Sequence, residues 1–208
     1  MRTEFMYFDA LNARLLRNLQ PHYQQNPSAM VRLSSKGSLV AQLTALIKRA
    51  TCYNGLCLQI EGAKWQSVGE GACGKVFKSP CGMFVCKISR ADAGYPLYAN
   101  WAQQAWRTNP HAPQILWGEA IPYVDKGYMS LLEPLEKLSQ DMEDVISPVQ
   151  GKLYGYHVDA DVCFTDHEEQ IISTVLSLAE KSRVRVDVHN GNFMMRGKQW
   201  VLTDPLIG

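Results

Sequence analysis

The sequence predicts an α+β fold of two lobes that follow a helical N-terminal extension. Apolar residues recur at helical spacing through about residue 50, alternate from about residue 64, and return to helical spacing after residue 134. These changes predict a helical extension over residues 1–60, a strand-rich lobe over residues 61–133 and a helical lobe over residues 134–208. A chain of 208 residues is long enough for two small lobes that share a cleft.

Two helices are predicted in the extension. One carries leucines on a single face over residues 11–19, and the other carries a stripe from Leu39 to Ile47, after a break marked by Pro21 and Pro27. No residue of this segment indicates chemistry, so we expect the two helices to pack beside another part of the protein.

The strand-rich lobe is predicted to contain five strands, with one helix inserted after the third. The strands are expected over residues 64–70, 74–78, 83–88, 115–124 and 127–132, and the helix over residues 95–107. In the helical lobe we expect helices over residues 135–146 and 166–181, an irregular loop over 147–165, a strand over 184–188 and a hairpin over 193–203.

Charge and hydropathy narrow the classes of partner. The formal net charge of +1 gives no general attraction to nucleic acid or to anionic membranes. No apolar run approaches the roughly eighteen residues of a membrane span, and Glu4, Asp9 and Arg14 interrupt the apolar N-terminus, unlike a signal peptide. We expect a cytoplasmic protein without direct contact to nucleic acid or membranes. The sequence indicates no oligomeric state.

The first candidate for chemistry is a glycine-rich string between the first two strands. Gly69, Gly71 and Gly74 belong to a G-x-G-x-x-G-x-V pattern that ends at Val76. Backbone without side chains can approach a polyphosphate closely and direct its N–H groups at it. A plain hairpin turn or a dinucleotide-binding loop gives a similar string, but the dinucleotide loop needs a following helix, and here a strand is predicted. The pattern therefore favours a glycine loop over ATP.

The second candidate is Lys87, the lysine of the third predicted strand. It lies thirteen residues after Gly74 in an otherwise apolar stretch. An inward-facing ammonium at this place suits the α- and β-phosphates of ATP. Taken alone, a surface lysine on an edge strand is the simpler explanation. Its position after the glycine turn favours the phosphate role.

The third candidate is the set of Asp187, Asn192 and Asp204. An Asp five residues before an Asn places a carboxylate near an attacking hydroxyl and an amide near a metal ion. Asp204 follows twelve residues after Asn192, across a hairpin, and can share Mg²⁺ with that amide. The structural alternatives are an Asp- and Asn-rich loop that satisfies its own backbone, and a turn cap at Asp204.

In order and spacing these elements resemble the protein-kinase superfamily over residues 64–208. The string Asp187-Val188-His189-Asn190-Gly191-Asn192 is similar to the D-x-H-x-G-N of aminoglycoside and related small-molecule kinases. The combination of MFVCKIS, the Asp92-Ala93-Gly94 lead-in, VDVHNGNFM and LTDP resembles the early host-shutoff Ser/Thr protein kinases of short-tailed bacteriophages. The resemblance implies a two-lobed protein-kinase-like fold with a truncated helical C-terminal lobe.

The resemblance also implies roles for the matching residues. Those implied to bind ATP are Gly69, Gly71 and Gly74 over the phosphates, Lys87 at the α- and β-phosphates, and a hinge of Leu131, Leu132 and Glu133 whose backbone groups hydrogen-bond adenine. Asp187 is implied to orient or deprotonate the acceptor hydroxyl. Asn192 and Asp204 are implied to hold Mg²⁺, and His189, in the place of the catalytic-loop lysine, to touch the γ-phosphate.

The sequence departs from the kinase pattern around Lys87. The helix over 95–107 contains no acidic residue to pair with this lysine. Asp92 and Gln103 are the nearest substitutes.

Further departures lie near the C-terminus. Arg185 and Val186 replace the usual His-Arg before the catalytic Asp, and Pro205 and Leu206 replace the usual Phe-Gly after the metal-binding Asp. If Gly208 is the natural end, we expect no activation segment. Substrate docking is then expected from the N-terminal helices or from the loop over 147–165.

The sequence therefore predicts an ATP- and Mg²⁺-dependent phosphotransferase, with Ser or Thr of host proteins as acceptors if the protein is of phage origin. Phosphoryl transfer requires little beyond positioning and charge neutralisation, so a reduced core can suffice. The main alternative is a pseudokinase-like interaction protein that binds and inhibits a host factor. A small-molecule kinase is the third possibility.

Overall fold

The computed structural model describes residues 27–208, with side chains described from residue 37 onward. The chain divides into two compact units after residue 50, and each is described by itself. The first contains helix α1, Pro27–Arg49, in which Leu43 and Ile47 of the predicted stripe are buried. The stripe predicted over residues 11–19 lies outside the described residues, and the predicted boundaries at residues 60 and 133 stay predictions. Within residues 27–208 no helix is long and apolar enough to cross a bilayer.

The second unit opens with helix α2, Tyr53–Gly62, and continues into an antiparallel sheet. The strands are β1 (Gln66–Gly71), β2 (Gly74–Lys78), β3 (Val85–Ser89), β4 (Ile115–Ala120) and β5 (Tyr128–Leu132). They lie in the order β1-β2-β3-β5-β4, and helix α3, Gly94–Ala105, connects β3 with β4. The prediction of an α+β fold with a five-stranded sheet and one helix after the third strand is confirmed.

Strand β3 lies inside this sheet, between β2 and β5. Side chains alternate along it because successive residues of a strand point to opposite faces. Cys86 and Ile88 are fully buried on one face, and Lys87 points to the other, opposite Ser130 of β5. The alternative of a lysine on an edge strand is therefore excluded.

The helical lobe combines two helices with short strands. The helices are α4 (Glu143–Leu153) and α5 (Asp166–Ser182), and the strands are β6 (Glu136–Lys137), β7 (Arg185–Val186), β8 (Phe193–Arg196), β9 (Gln199–Leu202) and β10 (Leu206–Ile207). Strands β8 and β9 form the predicted hairpin, with β6 beside β8. Strand β10 pairs with β7, so the segments before and after the hairpin lie next to each other.

Helix α4 differs from the prediction of a helix over 135–146 followed by a loop. It starts later and continues through Pro148. Its Ile146, Val149 and Leu153 lie at helical spacing and are almost completely buried. Burying each such side chain contributes about 1.5–3 kcal/mol, so the three together outweigh the cost of about 3 kcal/mol for a proline inside a helix.

Helix α5 has the predicted bounds to within one residue. Thr165 and Glu168 form a reciprocal capping box at its start, in which each side chain bonds the other residue's N–H. Its apolar face packs into the main hydrophobic core together with α3, α4 and the β8–β9 hairpin. This core fixes the two segments that flank the hairpin, and those segments carry Asp187 and Asp204.

Candidate active site

Lys87 meets residues from two distant segments of the chain. Its ammonium donates a hydrogen bond to Oδ2 of Asp204 and lies 3.7 Å from the centroid of the Tyr95 ring. Only 15% of the Lys87 side chain is exposed. Lys87 and Asp204 belong to separate sequence motifs that are predicted to form one site, and they are thus in direct contact.

The surroundings of Asp204 are short of positive charge. Oδ1 of Asp204 is buried and has no hydrogen-bond partner within residues 27–208. Burial raises the pKa of the Asp204 carboxyl above its usual range; Lys87 opposes this rise, and the carboxylates of Asp92 and Asp187 add to it. Two further carboxylates therefore act on Asp204 beside the Lys87 ammonium, and an added cation would stabilise the ionised form of Asp204.

The donors at Asp204 suit a magnesium ion that is held jointly with phosphate. Mg²⁺ in nucleotide sites uses one or two carboxylates together with phosphate oxygens and water, rather than a cage made by protein alone. In the described range, no cluster of three or more His, Cys, Asp or Glu side chains is arranged to hold a metal. The unpartnered Oδ1 of Asp204 fits the former type of site. The Mg²⁺ ligand roles of Asp204 and Asn192 stay predictions.

Hydrogen bonds hold the loop over Asp187–Asn192 against the segment that follows β9. The N–H of Asp187 donates to the carbonyl of Pro205 at 2.8 Å, and the N–H of Thr203 donates to the carbonyl of Asn192 at 2.8 Å. The Asn192 side-chain amide donates to the Asp187 carbonyl at 2.6 Å. The nitrogen of Asn192 is therefore used within its own loop, so a metal contact would fall to its side-chain oxygen.

Asp187 and His189 present different groups at this loop. The Asp187 carboxylate is half-buried and has no hydrogen-bond or ion-pair partner among the residues described. His189 is exposed, and its Nδ1 accepts a hydrogen bond from the N–H of Gly191 at 3.1 Å. A Cβ at Gly191 would lie 2.8 Å from the imidazole ring, so a side chain there would displace the ring from this position. Because Nδ1 accepts, the neutral ring carries its proton on Nε2.

The glycine string forms the β1–β2 hairpin, and the helix required after a dinucleotide loop is replaced by strand β2. A Cβ at Gly74 would lie 2.5 Å from the carbonyl oxygen of Ile88, so the close approach of β2 to β3 requires glycine there. A Cβ at Gly71 would meet nothing within 4 Å, and one at Gly69 would make an ordinary 3.8 Å contact with Val76. Packing thus explains Gly74 and leaves Gly69 and Gly71 available for another role.

The predicted hinge lies at the end of β5. Leu131 is fully buried, and Leu132 is partly buried against the main core. The N–H of Glu133 donates to the carbonyl of Gln114 at 3.1 Å. An adenine contact at Glu133 would therefore use its carbonyl oxygen. The role of these three residues in adenine binding stays a prediction.

Arg196 connects this hinge to the β8–β9 hairpin. Its Nε donates to Glu133 Oε2 at 2.9 Å, and its Nη2 donates to Glu133 Oε1. The same guanidinium donates to the carbonyls of Pro110 and Ala112 at 2.9 and 3.0 Å. A planar guanidinium that bonds both carboxylate oxygens restrains their relative orientation. Arg196 is not among the sequence-predicted site residues, because an arginine beside a glycine turn looks like a surface residue.

Neither proposed substitute for the missing acid contacts Lys87. Oδ1 of Asp92 accepts hydrogen bonds from the N–H groups of Gly94 at 2.8 Å and of Gly208 at 3.2 Å. Asp92 therefore caps the start of α3 and attaches it to the segment after Asp204. Gln103 donates instead to the hydroxyl of Tyr128 at 3.3 Å.

Tyr95, on the first turn of α3, lies where a partner for Lys87 was expected. Its hydroxyl is hydrogen-bonded to Oγ of Ser130, and burial raises its pKa well above the usual range, so the ring stays a neutral phenol. Tyr95 is also not among the sequence-predicted site residues, because an aromatic residue on the apolar face of a helix resembles an ordinary core residue. Tyr98, three residues later on the same helix, is such a fully buried core residue.

A depression of about 520 Å³ lies beside the Asp187–Asn192 loop. It is bounded by the second half of α4, by residues 154–162 and by Val188. The hydroxyl of Tyr154 accepts a hydrogen bond from the N–H of Val188 at 2.9 Å, which ties this wall to the loop. The depression falls largely within the 147–165 segment expected to dock a substrate. Docking there stays a prediction.

Comparison with known proteins gives little beyond this geometry. No protein-family model matches the sequence, and no curated protein matches it significantly. Two crystal structures of the PknI kinase domain of Mycobacterium tuberculosis are similar, with 14% identity at a TM-score of 0.32 and 17% identity at a TM-score of 0.33. Each alignment covers 67% of this chain, and this chain spans 55% and 56% of the length of those domains. TM-scores this low do not establish a common fold.

Proposed function

We propose that this protein is an ATP-dependent phosphotransferase with a protein-kinase-like core. The contact between Lys87 and Asp204 carries the proposal, because it joins an ammonium suited to phosphate with a carboxylate oxygen that lacks a protein partner. Phosphoryl transfer is catalysed mainly by positioning and charge neutralisation. The glycine hairpin adjoins β3 on one side of this contact, and the Asp187–Asn192 loop adjoins Asp204 on the other.

In the proposed nucleotide site, backbone groups and charged groups bind different parts of ATP. The β1–β2 hairpin, with Gly69, Gly71 and Gly74, would cover the phosphates, and Lys87 would bind the α- and β-phosphates. The carbonyl of Glu133 and the neighbouring Leu132 would face adenine. Mg²⁺ bound at Asp204 and Asn192 would supply neutralisation of phosphate charge.

The proposed acceptor side centres on Asp187. Its carboxylate has no protein partner in the described range and lies on a loop fixed to the segment of Asp204, so it is available to orient an acceptor hydroxyl or take its proton. His189, with its proton on Nε2, would donate to a γ-phosphate oxygen. Asp187 would thus accept a proton and His189 would donate one, both beside the ion pair of Lys87 and Asp204.

The resemblance to phage host-shutoff kinases supports Ser or Thr of host proteins as the acceptor and the host cytoplasm as the location. The depression beside Val188 is the proposed docking place for an acceptor peptide, since its wall is bonded to the loop that carries Asp187.

The deciding experiment measures binding and transfer in the same preparation. Wild-type protein is incubated with Mg²⁺ and γ-labelled ATP, with and without a mixed bacterial protein extract, and label on protein Ser and Thr is identified by mass spectrometry. Thermal unfolding is followed in parallel with Mg²⁺-ATP. Ligand at a hundred times its dissociation constant adds about 2.7 kcal/mol to stability, which raises the midpoint by roughly 5–10 °C for a chain of this size.

Label transfer that disappears in Asp187→Asn would support the phosphotransferase. A raised midpoint without label on any protein would favour the pseudokinase-like interaction protein. No change of midpoint at millimolar Mg²⁺-ATP, together with no label, would refute the nucleotide site itself.

A further inference from the structure

Helix α3 offers Lys87 an aromatic face where the kinase pattern has an acid. The ammonium of Lys87 lies 3.7 Å from the centroid of the Tyr95 ring, inside the limit of about 6 Å for a cation–π contact. Among the described residues, Asp204 and this ring are the partners of the ammonium. Asp204 is charged and is also a proposed metal ligand, whereas the Tyr95 ring is neutral.

The Tyr95 ring is held on several sides. It is fully buried, and its hydroxyl bonds Oγ of Ser130, the residue that pairs with Lys87 in the register of β3 and β5. The ring of Tyr128 packs against it edge-on, with centroids 6.2 Å apart. A ring restrained in this way cannot turn away from Lys87 without breaking the packing of α3 on the sheet.

We infer that Tyr95 is a positioning residue whose ring holds the Lys87 ammonium in place for the nucleotide phosphates when Asp204 turns to the metal. This inference rests on the proposed function. An acid in this place would add a fourth carboxylate to Asp92, Asp187 and Asp204. An aromatic face orients the cation without adding negative charge, so the charge of Lys87 remains available to phosphate.

The binding test compares three variants with the wild type. Tyr95→Phe keeps the ring and removes only the hydroxyl, whereas Tyr95→Leu removes the aromatic face. Tyr98→Leu is the matched control, because Tyr98 is on the same helix, is equally buried and donates its hydroxyl to the carbonyl of Leu202 at 2.7 Å without contacting Lys87. It reports the general cost of removing a buried tyrosine.

We expect Tyr95→Leu to lose affinity for Mg²⁺-ATP and the other two variants to keep it. Its affinity for Mg²⁺-ATP should fall about 5- to 30-fold, the range expected when a partly desolvated cation–π contact is lost. Tyr95→Phe and Tyr98→Leu should stay within about 3-fold of the wild type, although Tyr98→Leu should melt at a lower temperature. Equal losses in Tyr95→Leu and Tyr98→Leu, or in Tyr95→Phe and Tyr95→Leu, would overturn the inference.

A second measurement needs neither nucleotide nor a destabilised variant. In protein labelled with ¹³C-lysine, the ε-methylene signal of Lys87, assigned through Lys87→Arg, should be shifted upfield by the ring in the wild type and in Tyr95→Phe. An unshifted Lys87 signal in the folded wild type would overturn the inference even if Tyr95→Leu cannot be purified. If the wild type binds no Mg²⁺-ATP, the proposed function fails, and the shift still decides whether Tyr95 holds Lys87.

Discussion

The ammonium of Lys87 is bonded to the carboxylate of Asp204, 117 residues later in the chain. The carboxylates of Asp92 and Asp187 raise the pKa of the Asp204 carboxyl, so one ammonium and two further carboxylates act on this group. Removing the ammonium and removing the carboxylate should therefore have unequal consequences.

Lys87→Met should destabilise the protein more than Asp204→Asn does. The first leaves a buried carboxylate beside two others without a cation, at an expected cost of about 2–4 kcal/mol in the free energy of unfolding. The second leaves the Lys87 ammonium in contact with the Tyr95 ring, at a smaller cost. Urea unfolding at fixed ionic strength measures both. The double variant should be more stable than Lys87→Met alone, and equal losses in the two single variants would contradict the charge balance.

Asp187→Asn should separate catalysis from binding. The variant should lose transfer of label from ATP by about 10²–10⁴-fold, because the carboxylate proposed to address the acceptor hydroxyl is gone. Its affinity for Mg²⁺-ATP should stay near that of the wild type. Asp204→Asn should impair both properties, since it removes the oxygen proposed for the metal. If Asp187→Asn binds ATP and retains full transfer, the assignment of Asp187 is wrong.

The glycines of the hairpin should respond differently to the same substitution. Gly74→Ala places a Cβ 2.5 Å from the Ile88 carbonyl oxygen and should cost about 1–3 kcal/mol of stability. Gly71→Ala enters open space and should leave the unfolding midpoint unchanged or slightly raised. If the hairpin covers phosphates, Gly71→Ala should nevertheless weaken Mg²⁺-ATP binding. Thermal unfolding with and without nucleotide separates these effects. Unchanged binding in Gly71→Ala would show that Gly71 is not part of the nucleotide site.

His111 should make the protein less stable in mild acid. Its ring packs on Trp200 with centroids 3.6 Å apart, and burial lowers its pKa below the usual 6.5. The unfolded chain therefore binds a proton more readily than the native one, so stability is complete above the unfolded pKa and declines as the pH falls through 6.5 toward the native value. Urea unfolding between about pH 7 and pH 5 measures this slope. His111→Phe should flatten it, and an unchanged slope in that variant would assign the dependence to other groups.

Local sequence signals determined the elements that depend on neighbouring residues. The bounds of α5 follow from the Thr165–Glu168 capping box and the apolar spacing behind it, which act within a few residues. The five strands follow from alternation and the turns between them. The candidate residues Lys87, Asp187 and Asp204 also came from local motifs, since each motif is complete within a short string.

Only the tertiary structure decided which of these residues meet and what surrounds them. The extension of α4 through Pro148 depends on burial against other helices, which propensity along the chain does not register. The contact of Lys87 with Asp204 and its place over the Tyr95 ring depend on packing between segments far apart in sequence. The sequence by itself thus determined the chemistry available to this protein. Long-range packing decided that the Lys87 ammonium meets both the Asp204 carboxylate and a neutral ring, because burial and charge interactions depend on distance in space and not along the chain.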